Sequence, residues 1–427
     1  MLRPTSSTTS RAVNPFKPTA GKMPPILIGR QSIIDDFQEA LDNGIGAPGR
    51  IMLVTGQRGF GKTVMLTQFR RIAREQGWLT IAETASEGLV DRLAQSLDPQ
   101  TGSHVSSAQL SPTVSAAGVG ASLGQVTISK ESAPLTLRTA MQHCLSSKRT
   151  KKGKGVVITI DEMQSATTAD IVAIATAVQH TIAASDELDC PEEDKRGIAI
   201  VFAGLPSMLN ELINNRTTTF MRRALQRELQ NVPIPDVRDA YLQSVVQSGK
   251  AISAELATQA ARESDGYPYM VQLLGYYMWQ SAQRRRSQTI EEADLRQGYA
   301  DAITAFDQAV CAPALDELGT PERVFLQAMA QSMARSATPT ESANPSSSGK
   351  ASSEAAHSAT AADAWQPITQ QIAKTSDIAS FTSRSRSWVS KYRAVLLRDH
   401  VIESAGHGYV RFAIPHMRDY LLGTTAE

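Results

Sequence analysis

The segment that decides the fold runs from Ile51 to Thr63 and reads IMLVTGQRGFGKT. It opens with a short, continuous apolar run, which is typical of a strand buried on both faces of a parallel sheet. A glycine-rich loop follows from Gly56, with the spacing Gly-x-x-x-x-Gly-Lys-Thr of a phosphate-binding loop. Apolar residues then recur at helical spacing from Val64 to Ile72. The segment therefore predicts a buried strand, a phosphate loop and a helix in succession.

The residue types in this loop suit a nucleoside triphosphate with magnesium. Gly56, Gly59 and Gly61 let the loop turn so that its N–H groups face one anion, and the following helix adds its positive end. We expect Lys62 to reach the β- and γ-phosphates of ATP and the Thr63 hydroxyl to ligate Mg²⁺. The alternative is a glycine-rich turn that binds nothing, but the strand before it and the helix after it favour the phosphate site.

An acidic pair ends a second apolar run. Val156 to Ile160 is followed directly by Asp161 and Glu162. Ligands of open α/β sheets bind at the carboxyl ends of the strands, so we expect this run to be a parallel strand neighbouring the first. Asp161 would then hold Mg²⁺ through its water shell, and Glu162 would polarise the attacking water. The alternative is a strand that ends in a solvated acidic turn.

Composition limits the class of protein. The chain has 427 residues, enough for two or three domains, with 41% hydrophobic and 20% charged residues, as in globular proteins. A net charge of +1 excludes nucleic-acid binding by bulk charge, so any basic surface must be local. The three cysteines are scattered without metal-ligand spacing, and no apolar run approaches a membrane span. We expect a cytoplasmic protein without a membrane partner.

The first predicted region is an α/β core at 23–235, a parallel sheet with helices on both faces. It follows a Ser-, Thr- and Pro-rich leader, 1–22, predicted to be disordered. Within the core, Gln100 to Ala133 is weakly patterned and is interpreted as an excursion from the sheet. The predicted strands are Ile51–Val54, Leu79–Ile81, Val156–Ile160 and Ile198–Phe202.

The second predicted region, 236–306, is a helical lid. Asp236 and Ser253 are interpreted as helix N-caps, and Thr289 with Glu292 as a capping box.

The third predicted region, 307–427, is a winged helix-turn-helix domain. Thr320-Pro321 predicts a helix start, and 336–362, which is almost free of large apolar residues, is predicted to be a disordered insert. The remaining predicted elements are helices at Ile368–Lys374 and Ser385–Arg398, the second with Trp388, Val389, Tyr392, Val395 and Leu396 on its buried side, and a wing strand at Val410–Ile414.

The second of these helices carries a basic face. Arg386, Ser390 and Arg393 recur at i, i+4 and i+7, and such a face can meet a DNA groove. Winged helices also dock proteins or serve as structural modules, and exposed arginines are often merely solvated. The candidate DNA contacts are Arg384, Arg386, Lys391, Arg393 and Arg411, with Arg386 and Arg393 facing the groove, Lys391 and Arg411 nearer the backbone, and Arg398 flanking the helix.

With these motifs in place, the chain resembles an AAA/STAND-type P-loop ATPase of the origin-recognition-like branch. More narrowly, it resembles a large group of bacterial ATP-binding proteins within that branch. The phosphate loop and the Asp161–Glu162 pair are the specific part of the match. The other matching segments are Asn14–Thr19, Ile28–Arg30, Ala203–Pro206, Thr219–Ala224, Gly266–Tyr269 and Gly406–Pro415, in that order along the chain.

The resemblance implies roles for further residues. Gly29 and Arg30 match the family motif near the adenine, although a turn glycine and a surface arginine would explain them as well. Arg222 or Arg223, with Arg223 preferred, matches an arginine that approaches the γ-phosphate, in cis or from a neighbouring copy; the alternative is an exposed helix arginine in a salt bridge. Pro268 matches the nucleotide-contacting proline of the lid, although a loop glycine followed by a helix-opening proline would look the same.

Two departures from the family favour slow turnover. The run Ile198–Phe202 ends in Ala203-Gly204, without a polar sensor residue, and no sensor arginine lies beside Pro268. The sequence therefore favours an ATP- and Mg²⁺-dependent switch that binds double-stranded DNA and self-associates on binding ATP. The alternatives are a STAND-like signalling ATPase that docks protein and an ATP-loaded scaffold without useful hydrolysis.

Overall fold

The structure is a computed structural model, and it describes residues 13–19, 23–24, 27–98, 136–151, 154–191, 194–206, 221–337 and 372–423. The chain divides into two compact units. The sheet unit is Ser32–Gly56 with Lys62–Glu228, and the helical unit is Met1–Gln31, Gln57–Gly61 and Leu229–Glu427. The predicted domain boundaries at 235 and 306 stay predictions.

The sheet unit contains one parallel sheet of five strands, which are β1 Ile51–Thr55, β2 Leu79–Thr84, β3 Gly155–Asp161, β4 Gly197–Gly204 and β5 Leu225–Glu228. Their order in the sheet is β2-β3-β4-β1-β5. All four predicted strands are present, and β3 and β4 are buried along their whole length, as their continuous apolar runs predicted. The fifth strand was not predicted, since its four residues alternate between half-buried and exposed.

The strand order corrects one expectation. β3, which carries the acidic pair, is not the neighbour of β1, because β4 lies between them and pairs with both. The carboxyl ends of β1, β4 and β3 still lie along one edge of the sheet because all three strands are parallel. The phosphate loop and the acidic pair both leave the sheet at that edge.

Helices surround the sheet, and their apolar sides form its core. A capping box fixes the start of the helix that follows the acidic pair. The side chain of Thr167 accepts a hydrogen bond from the N–H of Asp170, and the carboxylate of Asp170 accepts one from the N–H of Thr167. The helices of this unit are α1 Gln31–Asp42, α2 Lys62–Glu75, α3 Leu89–Leu97, α4 Leu137–Ser146 and α5 Thr168–Asp186. The predicted excursion, 100–133, lies outside the described residues.

Two predicted helix starts in the helical unit are wrong. The first helix begins at Ile234, so Asp236 lies in its first turn and is not the N-cap. The predicted Thr289 capping box lies two residues too early, because Glu291 caps that helix and pairs with Asp294. Ser253 is an N-cap as predicted. The helices are α6 Ile234–Gln247, α7 Ala254–Glu263, α8 Pro268–Arg284, α9 Glu292–Phe306, α10 Ala312–Asp316 and α11 Thr320–Ala337, with a π-helical turn at Asp307–Cys311.

The prediction of a disordered leader is wrong for residues 13–19, whereas 1–12 and 20–22 lie outside the described residues. Phe16 is buried at 3% exposure and packs edge-on against Tyr241 at 5.6 Å between ring centroids. The amide of Asn14 donates to the carbonyl of Tyr276 at 3.0 Å, and the N–H of Lys17 donates to Gln272 at 3.0 Å. A single aromatic in a polar segment gives no periodic signal, so the sequence pattern did not predict this packing.

The C-terminal part differs from prediction at its start. Residues 373–374 form a strand and not the end of a helix; 368–371 and the part of the predicted insert after residue 337 lie outside the described residues. The second helix begins after its N-cap Ser385, as predicted. Two short strands form an antiparallel hairpin, and β6 pairs with its second strand. The elements are β6 Ala373–Lys374, α12 Thr375–Thr382, α13 Arg386–Arg398, β7 Ile402–Ser404, β8 Tyr409–Phe412 and α14 Met417–Gly423.

Among the described residues, no helix is long and apolar enough to cross a bilayer.

Candidate nucleotide site

The phosphate loop joins the end of β1 to the start of α2, as the sequence predicted. Gly59 and Gly61 have φ values of 79° and 88°, in the left-handed region that glycine adopts without strain. At the start of the loop, the N–H of Gly56 donates to the carbonyl of Gly204 at 3.3 Å, which ties the loop to the end of β4. The loop therefore has the backbone conformation that its glycines predicted.

Lys62 and Thr63 open α2. Lys62 is 6% exposed, and its ammonium donates to the carbonyl of Gly56 at 2.9 Å, so it bridges the two ends of the loop. The hydroxyl of Thr63 donates to Oδ2 of Asp161 at 2.6 Å. The last residue of β3 and the first turn of α2 thus place a carboxylate and a hydroxyl side by side, although 98 residues separate them in sequence.

These two oxygens fit the needs of magnesium. Mg²⁺ prefers oxygen ligands and is usually held by one or two protein groups together with waters and substrate phosphates. Among the described residues, no cluster of three or more acidic, histidine or cysteine side chains forms a self-sufficient metal site. Thr63 and Asp161 would therefore hold Mg²⁺ jointly with the phosphates of the nucleotide, whose binding the ion supports by neutralising phosphate charge.

Glu162 follows Asp161 in a sharp turn. Its φ of 54° is left-handed, which is uncommon for a residue with a side chain, and its N–H donates to Oδ1 of Asp161 at 2.9 Å. The side chain is exposed, and its carboxylate accepts a hydrogen bond from the amide of Gln164. Gln164 was not singled out from the sequence.

The arginine pair predicted to approach the γ-phosphate lies just before β5. Arg222 and Arg223 are both exposed in a short helical turn between the buried Met221 and Ala224. The chain before this turn, 207–220, lies outside the described residues.

Gly29 and Arg30 belong to the helical unit. Gly29 has a φ of 62°, and a Cβ there would lie 3.1 Å from Val232. The alternative interpretation of Arg30 as a surface arginine is wrong. The side chain is 7% exposed and donates to the carbonyl of Gln230 at 2.6 Å. Burial lowers the pKa of its guanidinium below the usual value. Both residues thus contact the segment that leads into α6.

Gly266, Tyr267 and Pro268 form the start of α8. A Cβ on Gly266 would lie 2.0 Å from the carbonyl oxygen of Val232, so the close approach requires glycine, and Pro268 opens the helix. Tyr267, for which no sequence pattern predicted a role, is 1% exposed. Its hydroxyl donates to the carbonyl of Arg58 in the phosphate loop at 2.7 Å. Burial raises the pKa of this phenol, so it remains a donor at neutral pH.

A second contact to the phosphate loop comes from the C-terminal hairpin. The amide of Gln57 donates to Oε1 of Glu403 on β7 at 2.5 Å. Oε2 of Glu403 accepts from Nε of Arg411 on β8 at 2.7 Å and lies 2.6 Å from its Nη2. Arg411, a predicted DNA contact, is thus bonded to the carboxylate that holds the loop.

The predicted DNA contacts separate into two groups. Arg384, Arg386 and Lys391 are exposed, and among the described residues none of them has an ion pair. Arg393 lies on the same side of α13 as Arg386, seven residues later, but it is half-buried and donates to the hydroxyl of Ser404 at 3.2 Å, so it is less accessible than Arg386. On the opposite side of α13, Val389 and Leu396 are buried, whereas Trp388, Tyr392 and Val395 are half-buried.

Two parts of the chain match models of protein families. Residues 26–186 match the model of the AAA ATPase domain, and residues 358–421 match a domain of unknown function (DUF8462). The first match covers the phosphate loop and the acidic pair, and it identifies an AAA-type ATPase nucleotide-binding domain in this part of the chain. No curated protein matches the chain.

Among solved structures, the chain is similar to the ORC2 protein of Aeropyrum pernix. Against its ADPNP-ADP complexes the TM-score is 0.52 at 13% identity, covering 96% of this chain and 98% of that chain. Against its ADP form the TM-score is 0.50 at 12% identity, covering 97% and 100%. The RuvB Holliday junction branch migration motor of Thermotoga maritima aligns at a TM-score of 0.43 with 13% identity, covering 90% of this chain and 92% of that chain. The likeness to ORC2 and the parallel sheet confirm the predicted P-loop α/β fold.

Proposed function

We propose that this protein is an ATP-dependent switch. It binds ATP with Mg²⁺ at the phosphate loop, hydrolyses it slowly, and relays the state of the loop to its C-terminal module, residues 372–423, which contacts double-stranded DNA. The observation that carries the proposal is the hydrogen bond between Gln57 of the phosphate loop and Glu403 of the C-terminal hairpin.

Nucleotide binding is supported by the chemistry of the loop. The ammonium of Lys62 donates to a backbone carbonyl, and a phosphate is a stronger partner for an ammonium than a neutral carbonyl. Thr63 and Asp161 provide adjacent oxygens for the ion. The bound phosphates would face the loop N–H groups and the start of α2.

Slow hydrolysis is supported by the edge of the sheet. Glu162 lies beside Asp161 and has a carboxylate that can polarise water. However, β4 ends in Ala203 and Gly204, whose positions supply no polar side chain to sense the γ-phosphate. Arg223, exposed on its turn, would approach the γ-phosphate from a neighbouring copy, so we propose that ATP promotes self-association.

The relay from the loop to the output is supported by Glu403. Its carboxylate holds Gln57 with one oxygen and Arg411 with the other, so the loop and the hairpin share one hydrogen-bonded network. When ATP occupies the loop, the altered loop conformation weakens the bond to Glu403 and frees the hairpin. Binding of ATP and binding of DNA are then coupled, and the coupling must be reciprocal.

The positive charge of exposed side chains in the C-terminal module supports DNA as its ligand. Arg386 and Lys391 on α13, and Arg384 just before its N-cap, are three exposed cations without ion pairs among the described residues. Such cations contact phosphates and base edges.

The test measures double-stranded DNA affinity with ATP, ADP and no nucleotide, at several salt concentrations, for the wild type, Glu403→Ala and Arg386→Ala. We expect ATP to tighten DNA binding of the wild type. Glu403→Ala should bind tightly without nucleotide, and Arg386→Ala should weaken binding in all states and flatten the salt dependence by about one unit of slope if it contacts a phosphate.

Lys148→Ala, which removes an exposed cation of the sheet unit and leaves α13 unchanged, is the matched control. No DNA binding at any salt, with nucleotide binding intact, would reject the DNA output and favour a protein-docking module. DNA binding that is equal with ATP, ADP and no nucleotide would reject the switch. Gel filtration with and without ATP tests self-association, and an unchanged elution volume contradicts it.

A further inference from the structure

One side-chain amide connects the ends of two neighbouring strands at the candidate site. Gln164 lies in the short helical turn after β3, and its Nε2 donates to Oε2 of Glu162. Its Oε1 accepts from the N–H of Leu205, just beyond β4, at 3.2 Å. A carboxylate only accepts and an N–H only donates, so these partners fix the orientation of the amide.

Glu162 depends on this amide for its orientation. Its backbone is held by two hydrogen bonds: its N–H donates to Asp161, and its carbonyl accepts from Ser165 at 2.8 Å. Its side chain is exposed, and among the described residues the carboxylate has one hydrogen-bond partner, Gln164. Without that partner the carboxylate would be free to sample other rotamers.

The other end of the amide lies where the strand supplies no polar side chain. β4 ends in Ala203 and Gly204, and Leu205 then donates its N–H to Gln164. The carbonyl of Gly204 accepts from the N–H of Gly56, the first residue of the phosphate loop. A continuous path of hydrogen bonds and chain therefore leads from the start of the loop, through the end of β4 and Gln164, to Glu162.

We propose that Gln164 is the positioning residue for Glu162. It fixes the carboxylate that polarises the attacking water, and it ties the orientation of that carboxylate to the end of β4, in place of a polar residue on the strand. This inference rests on the ATP hydrolysis proposed above. Gln164 itself touches neither phosphate nor water in this role and acts only through Glu162.

The experiment compares wild type, Gln164→Ala and Gln164→Glu in steady-state ATP hydrolysis, with calorimetric affinity for a non-hydrolysable ATP analogue. Gln164→Glu keeps the size and the acceptor for Leu205 but replaces the donor to Glu162 with a second carboxylate. We expect kcat to fall about 10- to 100-fold in both variants, because misplaced catalytic groups cost that much. The Kd for the analogue should stay within about twofold, since the phosphate contacts remain.

Ser165→Ala is the matched control, because Ser165 is exposed in the same turn and only its backbone bonds to Glu162. It should retain the wild-type kcat and Kd. If the wild type hydrolyses ATP, Glu162→Gln has lost that activity and Gln164→Ala has kept it, then this inference alone is overturned. A parallel loss of kcat and analogue affinity in Gln164→Ala also overturns it, since that result indicates a structural role. A wild type that binds the analogue but never hydrolyses ATP refutes the proposed hydrolysis and this inference together.

Discussion

Acidification should destabilise the helical unit through one buried histidine. His416 is 2% exposed, its ring lies 5.7 Å from that of Phe306 between centroids, and its Nε2 has no hydrogen-bond partner among the described residues. Burial lowers the pKa of His416 from 6.5 to about 4, an effect that Arg418 reinforces and Asp419 opposes. Protonation in the folded state would place an unpaired charge in this apolar setting.

The sign and size of the effect follow from the two pKa values. Because the folded pKa lies below the unfolded one, the unfolded state binds more protons, and stability falls as the pH drops from 6.5 toward 4. The stability contribution is complete above pH 6.5. One pKa unit corresponds to about 1.4 kcal/mol, so the full loss is about 3 kcal/mol, of which about 2 kcal/mol has occurred by about pH 5.

The assay is urea-induced unfolding between about pH 4.5 and 8, comparing the wild type with His416→Asn. Asparagine tolerates the left-handed backbone of this position, where φ is 62°, and it does not titrate. The loss of ring packing costs the variant the same at every pH, so only the pH-dependent part of the difference reports His416. We expect the wild type to lose about 2 kcal/mol more than the variant between about pH 7.5 and 5. Parallel pH profiles would refute the reasoning.

Three further predictions concern residues of the two units. Phe16→Ala should lower the free energy of unfolding by about 3 kcal/mol, since the ring is buried beside Tyr241; a urea midpoint equal to the wild type would mean that residues 13–19 do not pack there. Tyr267→Phe keeps the ring contacts but removes the donor to Arg58, so it should cost about 1 kcal/mol in the same assay, and an unchanged value would contradict that bond. Glu162→Gln should bind ATP like the wild type and lose hydrolysis by at least about 100-fold, measured as phosphate release; wild-type turnover would assign the water to another residue.

The features that could be predicted from the sequence are those with a local signal. Continuous apolar runs indicated β1 to β4, and the glycine spacing indicated the phosphate loop. β5 has only four residues, Leu225–Glu228, and three of them are polar, so it carries no apolar pattern that could be recognised. The N-cap predictions were wrong by three residues at Asp236, where the observed N-cap is Pro233, and by two at Thr289, where it is Glu291, because helix ends are set by the folded chain and not by a single capping residue.

The contacts that define the switch and the positioning of Glu162 have no local signal. Gln57 and Glu403 are 346 residues apart, and Arg58 and Tyr267 are 209 apart. Gln164 stands two residues from Glu162 in sequence, but its second partner, Leu205, is 41 residues away. Single polar residues of this kind are common on surfaces, and only the fold distinguishes them from solvated side chains.

The central claim is that residues 56–63 bind ATP with Mg²⁺, and calorimetry on Lys62→Ala tests it most directly. Lys62 supplies the cation for the β- and γ-phosphates, so its loss should weaken binding of ATP by at least about 100-fold in the presence of Mg²⁺. Lys148→Ala, which removes an exposed lysine of the same unit, is the matched control and should bind like the wild type. Saturable one-site binding by the wild type and its near loss in Lys62→Ala is the predicted result. Equal affinities of the wild type and Lys62→Ala would contradict the account.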